Sequence, residues 1–247
     1  MAVSRWRLAI GLANSQRPIA NSVLQGLVVA AGLLPATVLL SDALNDRLGA
    51  NPIEEITHRT GDWVLWFLLG TLAVTPLRRL TGWNALIKFR RTLGLLAFSY
   101  VCVHFLTYLV LDQGFVLDPS FALAFVVEDI TKRPYITVGF TAFLLLVPLA
   151  LTSTKGWIRR LGGAQWNALH RLIYVAGALG VLHYLWLVKG DQPRPVWHAL
   201  VLVGLLGFRV WDGRRTRQRP SPSPSVSLSP SSSRSTSSPT PRAASRS

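Results

Sequence analysis

The chain has 247 residues, half of them apolar, with a formal net charge of +15 and a mean hydropathy of +0.35. Its apolar residues fall in separate long runs, and a helix needs about 20 residues to cross the hydrocarbon core, so a water-soluble domain is excluded. The positive charge lies outside the apolar cores of those runs, in the connecting loops and the two terminal segments, and reads as a basic membrane face rather than a nucleic-acid surface.

In chain order the expected spans are 19–40, 62–80, 93–111, 135–152, 169–188 and 196–211. The fold class is therefore all-α: an integral membrane bundle of six transmembrane helices. The first run is longer than a signal-peptide core and lacks a clear cleavage site, so it reads as an uncleaved helix. Between the third and fourth spans, residues 121–127 are apolar but too short to cross, with Asp118, Glu128 and Asp129 around them. That stretch suits an interfacial helix, a docking surface or an ordinary loop cover. From Pro220 to Ser247 there are thirteen Ser and six Pro, a composition that cannot bury enough surface to offset its ordering entropy. The expected organisation is a segment 1–18, a membrane domain 19–212 and a disordered tail 213–247.

Charge sets the orientation. With both termini inside, twenty of the twenty-six Lys and Arg are cytoplasmic, including Arg78, Arg79, Lys88, Arg90, Arg91, Lys155, Arg159, Arg160 and Arg171. Only Arg47, Arg59, Lys132, Arg133, Lys189 and Arg194 fall outside. Positive residues in short loops stay cytoplasmic, so both termini are expected there.

Sulfur is nearly absent. The chain has one Cys, Cys102, and one Met, the initiator. No C-x-x-C-H motif attaches haem covalently, and no cysteine cluster holds an iron–sulfur centre. A bound haem would be non-covalent and ligated by histidine. Cys102, about 200° around the helix from His104, reads as a packing residue.

Three histidines, His104, His170 and His183, lie within the expected spans, where an imidazole is costly and marks a ligand, a proton path or a metal. His104 follows Arg91 by thirteen residues and His183 follows Leu169 by fourteen. Their helices run in the same direction, so both rings reach similar depth in the outer half and can meet across one porphyrin. His170 lies about 20 Å below His183 at 1.5 Å per residue and about 140° around a straight helix. A histidine in a membrane helix also serves simply to hydrogen-bond a neighbour; that reading stays open for all three, most of all for His170. His58 and His198 are expected to be solvated at the outer interface. Tyr100, His104 and Tyr108 follow i, i+4 spacing along one face, where the tyrosines make helix contacts or reach a propionate. No nicotinamide or flavin fingerprint follows a strand, so substrate chemistry is expected in a partner. Two neutral imidazoles on one iron leave no open position, which suits electron transfer.

These residues carry a resemblance. Arg90-Arg91-Thr92-Leu93-Gly94-Leu95 leading to Tyr100 and His104 is one part; Thr75-Pro76-Leu77-Arg78 and Leu151-Thr152-Ser153 are others. With Trp157, Leu161-Gly162, Trp166-Asn167-Ala168-Leu169-His170-Arg171-Leu172, Tyr174 and His183, they are similar to the MsrQ (YedZ) family of the ferric-reductase-like transmembrane superfamily. The similarity spans roughly residues 10–212. It implies a bacterial inner-membrane cytochrome with haem b, one or two copies, and an associated FMN. Electrons would come from a cytoplasmic flavin reductase or the quinol pool and go to MsrP, a periplasmic molybdopterin methionine sulfoxide reductase. The family's ligands carry over onto His104, His170 and His183. The wider superfamily has two histidines on each of two helices, but here Arg90 stands fourteen residues before His104, on its face and at the depth of His170. An inner haem would then pair His170 with Arg90, a water or nothing. Two other readings are a stand-alone ferric or quinone reductase and a haem-free transporter or anchor using the histidines as a proton relay.

Overall fold

The computed structural model describes residues 2–114, 118–188 and 193–217, with the backbone alone for 2–21, 121 and 216–217. Of the tail 213–247 expected to be disordered, residues 213–217 instead continue the last helix; the rest of the tail and Lys189 lie outside the described residues. Eight helices follow in order: α1 (Ala2–Leu44), α2 (Pro52–Thr81), α3 (Phe89–Leu106), α4 (Pro119–Lys132), α5 (Pro134–Leu151), α6 (Lys155–Leu169), α7 (Leu172–Val188) and α8 (Arg194–Arg217). A short 3₁₀ turn, Asn84–Lys88, leads into α3, and a π turn, Thr107–Asp112, extends it. Among the described residues there is no strand.

Five helical stretches are long and apolar enough to cross a membrane: Ser22–Leu44, Pro52–Thr81, Asn84–Asp112, Pro134–Leu151 and Arg194–Arg215. The sixth is a broken unit, α6 and α7 together, bent by 43° at His170–Arg171. The sequence suggests one straight helix over 169–188; the break arises because bonding tightens there. Arg171 N–H donates to Ala168 O at 3.2 Å and Ile173 N–H to His170 O at 3.4 Å, the i→i−3 pattern of a tightened helix end. The second span also begins earlier than the apolar pattern suggests. Asn51 caps its start, accepting from Glu54 N–H at 3.4 Å and donating to the Glu54 carboxylate at 2.9 Å, with Pro52 at the first position. Gly82, at φ +71°, ends it in the left-handed region. The apolar stretch 121–127 lies within α4, so it is helical.

The centre of the bundle is α2, whose Leu65, Leu68, Leu69 and Leu72 are buried against α3, α7 and α8. α5 packs chiefly on α7. Between helices in lipid the apolar side chains gain little from leaving one apolar medium for another, so van der Waals fit and interhelical hydrogen bonds carry the association. Tyr100 supplies such a bond to α1: its hydroxyl accepts from Ala36 N–H at 3.0 Å and donates to Gly32 O at 2.9 Å. Those two groups ordinarily bond each other along a helix. The hydroxyl is inserted next to Pro35, which has no N–H to offer.

The ion pairs sort the two ends. At one end Arg59 meets Asp42 at 2.6 Å and Glu55 at 2.7 Å, and Arg194 meets Asp62 at 3.4 Å. At the other, Arg79 pairs with Asp212, and Trp166 Nε1 donates to Thr152 O at 3.0 Å, tying α6 to the end of α5.

Candidate functional site

His104, near the C-terminal end of α3, and His183, on α7, face each other with ring centroids 6.3 Å apart and planes at 84°. His104 Nδ1 lies 3.0 Å from Thr57 O on α2 and 3.4 Å from Thr60 Oγ1. His183 Nδ1 lies 2.7 Å from Tyr135 O on α5. A carbonyl only accepts, so in each ring Nδ1 carries the proton and Nε2 is left with its lone pair. Neither Nε2 has a bonding partner among the described residues. This is the arrangement of a metal-binding histidine: one nitrogen oriented by a backbone carbonyl, the other offered to the metal. Two nitrogen–metal bonds of about 2 Å each, with the two half-rings, fill a separation of this size.

The two imidazoles border a cavity of about 260 Å³ among α2, α3, α5 and α7. Its wall is apolar, with Leu65, Leu68, Val101, Phe143 and Leu146 on it, and α4 closes it with Val126 and Ile130. Polar groups gather at the mouth: His58, Asp62, Asp112, Arg133 and Tyr135. An apolar slot, two facing imidazoles held through Nδ1 and a polar rim fit a haem, whose ring is apolar and whose propionates are anionic. The histidines and aspartates around the cavity do not form a metal cluster of their own: among the described residues no three His, Cys, Asp or Glu converge.

α4 is held over the cavity by Asp129, whose side chain is 7% exposed. Tyr108, on the π turn, donates to it at 2.8 Å, and Arg133 Nε meets it at 3.1 Å. The Tyr135 side chain, then Asp129, raises the Arg133 pKa, so a cation stands at the mouth at every working pH. On the outward side of α4, Leu123 and Val127 are exposed, and Glu128 pairs with Lys132 at 2.7 Å, which lowers the Glu128 pKa.

His170 lies apart from this pair, at the α6–α7 break. Its ring stacks on Trp166 with centroids 3.8 Å apart, its Nδ1 is 3.1 Å from Trp166 O, and its buried Nε2 has no partner. The 13-residue count to His183 does not run along one helix, so the 140° offset of a straight helix does not apply. Arg90, in the first turn of α3, is close enough for its charge to act on His170 and on Arg209, and Arg209 lies over the Tyr174 ring at 4.8 Å.

Two sequence-based expectations change. His198 is buried, 2% exposed, not solvated: it is wedged between Trp66 at 4.7 Å and Tyr184 at 5.9 Å, with Nδ1 2.8 Å from Arg194 O. The reason is that α8 turns that face inward against α2 and α7. His58 is half-buried and lines the cavity. Tyr100 and Tyr108 are both spent on helix contacts, as one of the two readings had it. Asp129, beside the 121–127 stretch, is buried as an internal latch. Cys102 is half-buried and unpaired, consistent with packing.

The bundle defines a multispan membrane protein with two imidazoles facing each other inside it. Residues 28–181 match the family described as ferric reductase like transmembrane component. A protein named "Protein-methionine-sulfoxide reductase heme-binding subunit MsrQ" from Herminiimonas arsenicoxydans is 50% identical over 191 residues, 76% of this chain and 85% of that protein. Proteins of the same name from Ralstonia nicotianae and Xanthomonas campestris pv. campestris are 54% and 57% identical, covering 72% and 70% of this chain and 81% and 77% of theirs. No solved structure matches. The chain belongs to the MsrQ family, within the ferric-reductase-like transmembrane proteins.

Proposed function

We propose that the chain is the haem-bearing membrane subunit of an MsrPQ-type methionine sulfoxide reductase, an electron-transfer component rather than the substrate-reducing catalyst. The observation that carries this reading is the His104–His183 pair, each ring tethered at Nδ1 and opposed across an apolar cavity. Haem b, when bound, supplies one-electron chemistry. His104 and His183 would hold it from both sides, so no coordination position stays open to oxygen or substrate. The apolar wall keeps water from the site, and Arg133 and His58 at the mouth would receive the propionates.

The membrane is the bacterial inner membrane, with both termini and residues 1–18 and 213–247 cytoplasmic and residues 19–212 forming the haem domain. The cavity then lies in the periplasmic half, beneath α4, where a periplasmic molybdopterin reductase of MsrP type would take electrons. Such a partner repairs oxidised methionine in envelope proteins. On the cytoplasmic side, the unpartnered Nε2 of His170 and the nearby Arg90 and Arg209 suit an anionic group, the phosphate of FMN or the propionates of a second haem. The electron donor on that side is a flavin reductase or the quinol pool.

An absorption spectrum with a haem-to-protein ratio tests the reading. A six-coordinate low-spin b-type spectrum in the purified chain supports it. Absence of a Soret band favours a haem-free transporter or anchor. Rapid re-oxidation by ferric chelates, without response to a sulfoxide reductase, favours the stand-alone ferric or quinone reductase.

A further inference from the structure

We propose that Gly61 and Gly139 are positioning residues that seat the two axial imidazoles and fix the angle between their planes; this rests on the paired-ligand reading above. The same local arrangement occurs twice. His104 bonds the carbonyl of Thr57 and lies against Gly61, four residues on; His183 bonds the carbonyl of Tyr135 and lies against Gly139, again four residues on. In a helix the carbonyl of residue i points along the axis toward residue i+4, so a side chain at i+4 stands in the way of any ring approaching that carbonyl. Glycine leaves the approach open.

The distances make the point quantitative. A Cβ on Gly139 would stand 2.7 Å from His183 Nδ1 and 2.9 Å from its Cε1; one on Gly61 would stand 3.2 Å from His104 Cε1 and 3.3 Å from its Nδ1. Neither glycine has a positive φ, so the backbone conformation does not require it. Glycine inside a helix costs roughly 0.5–1 kcal/mol relative to alanine. Other helical glycines, Gly94, Gly204 and Gly207, have open space where a Cβ would go, so close approach to a ring is particular to the seats.

Each seat restrains rotation of its imidazole about the bond Nε2 would make, because Nδ1 is tied to the carbonyl and the ring rests on bare backbone. The two planes therefore stay near the observed 84°. Perpendicular imidazoles leave two iron d orbitals nearly degenerate and give a highly anisotropic low-spin electron paramagnetic resonance signal; parallel ones give an ordinary rhombic signal.

The test uses the full-length haem-loaded protein with Gly139→Ala, Gly61→Ala and His183→Ala, reading haem per protein and the low-spin signal. Gly139→Ala displaces the His183 ring, so haem affinity falls by about 10-fold, as for loss of an orienting partner, and the remaining haem shifts toward the rhombic signal. Gly61→Ala, the looser seat, retains haem and shows a smaller shift in the same direction; because it folds and loads, it keeps the test decisive. Unchanged signal and haem content in both glycine variants, with haem lost from His183→Ala, overturns the seats alone. Full six-coordinate haem in His183→Ala overturns the ligand pair, and the seats with it.

Discussion

His183 is tied to the first turn of α5 by the bond from its Nδ1 to the Tyr135 carbonyl at 2.7 Å. That bond decides which nitrogen is offered to the cavity, and it makes the α5–α7 contact part of the site. His104 is tied to α2 in the same manner. The helices around the cavity are thus registered in two pairs, α2 with α3 and α5 with α7, through these two histidines.

His104 and His183 are the two residues proposed to hold the haem. His104→Ala and His183→Ala should each abolish most haem incorporation, measured as haem per purified protein. Full retention in both would refute the pairing.

His170 lies apart, at the α6–α7 break. His170→Ala should leave the spectrum of the His104–His183 haem largely intact while reduction from the cytoplasmic side slows strongly. Stopped-flow reduction at the wild-type rate would leave His170 an interfacial contact with Trp166.

Tyr100→Phe removes the hydroxyl inserted between Ala36 and Gly32. The hydrogen-bonded link to α1 is lost, and stability should fall by about 1 kcal/mol, read from a detergent unfolding titration. Haem content should be unchanged, because the Tyr100 hydroxyl is engaged with α1 and does not line the cavity.

The cover helix separates two roles. Leu123→Ser with Val127→Ser alters only its exposed face, so re-oxidation by an added methionine sulfoxide reductase and its substrate should slow with haem content constant. Asp129→Ala removes both acceptor oxygens that latch Tyr108 and Arg133, so haem should dissociate faster. Deleting residues after Pro220 should change neither. Equal effects of the two α4 variants would show that α4 acts as one cover without a distinct docking face.

Orientation is checked by labelling, after Cys102→Ala removes the sole native thiol. An impermeant maleimide added from the periplasm should modify Ser120→Cys and spare Lys155→Cys. The reverse pattern would invert the topology.

Local features of the chain were enough to find six apolar runs and the shared depth of His104 and His183. Run length, composition and the 3.6-residue repeat are properties of short segments, and hydrocarbon thickness reads them directly. The resemblance carried in Arg90-Arg91 and in the Trp166–Leu172 run was legible for the same reason. What two helices do to each other is not a segment property. Packing placed His198 inside, turned Asp129 into a latch, broke the fifth span at His170–Arg171, and sent the Tyr100 hydroxyl into the backbone of α1. The choice of Nδ1 as donor, and the bare seats at Gly61 and Gly139, depend on which carbonyl a neighbouring helix presents. A glycine four residues after the accepting carbonyl was visible in the chain, but only the facing imidazole gives that spacing its meaning.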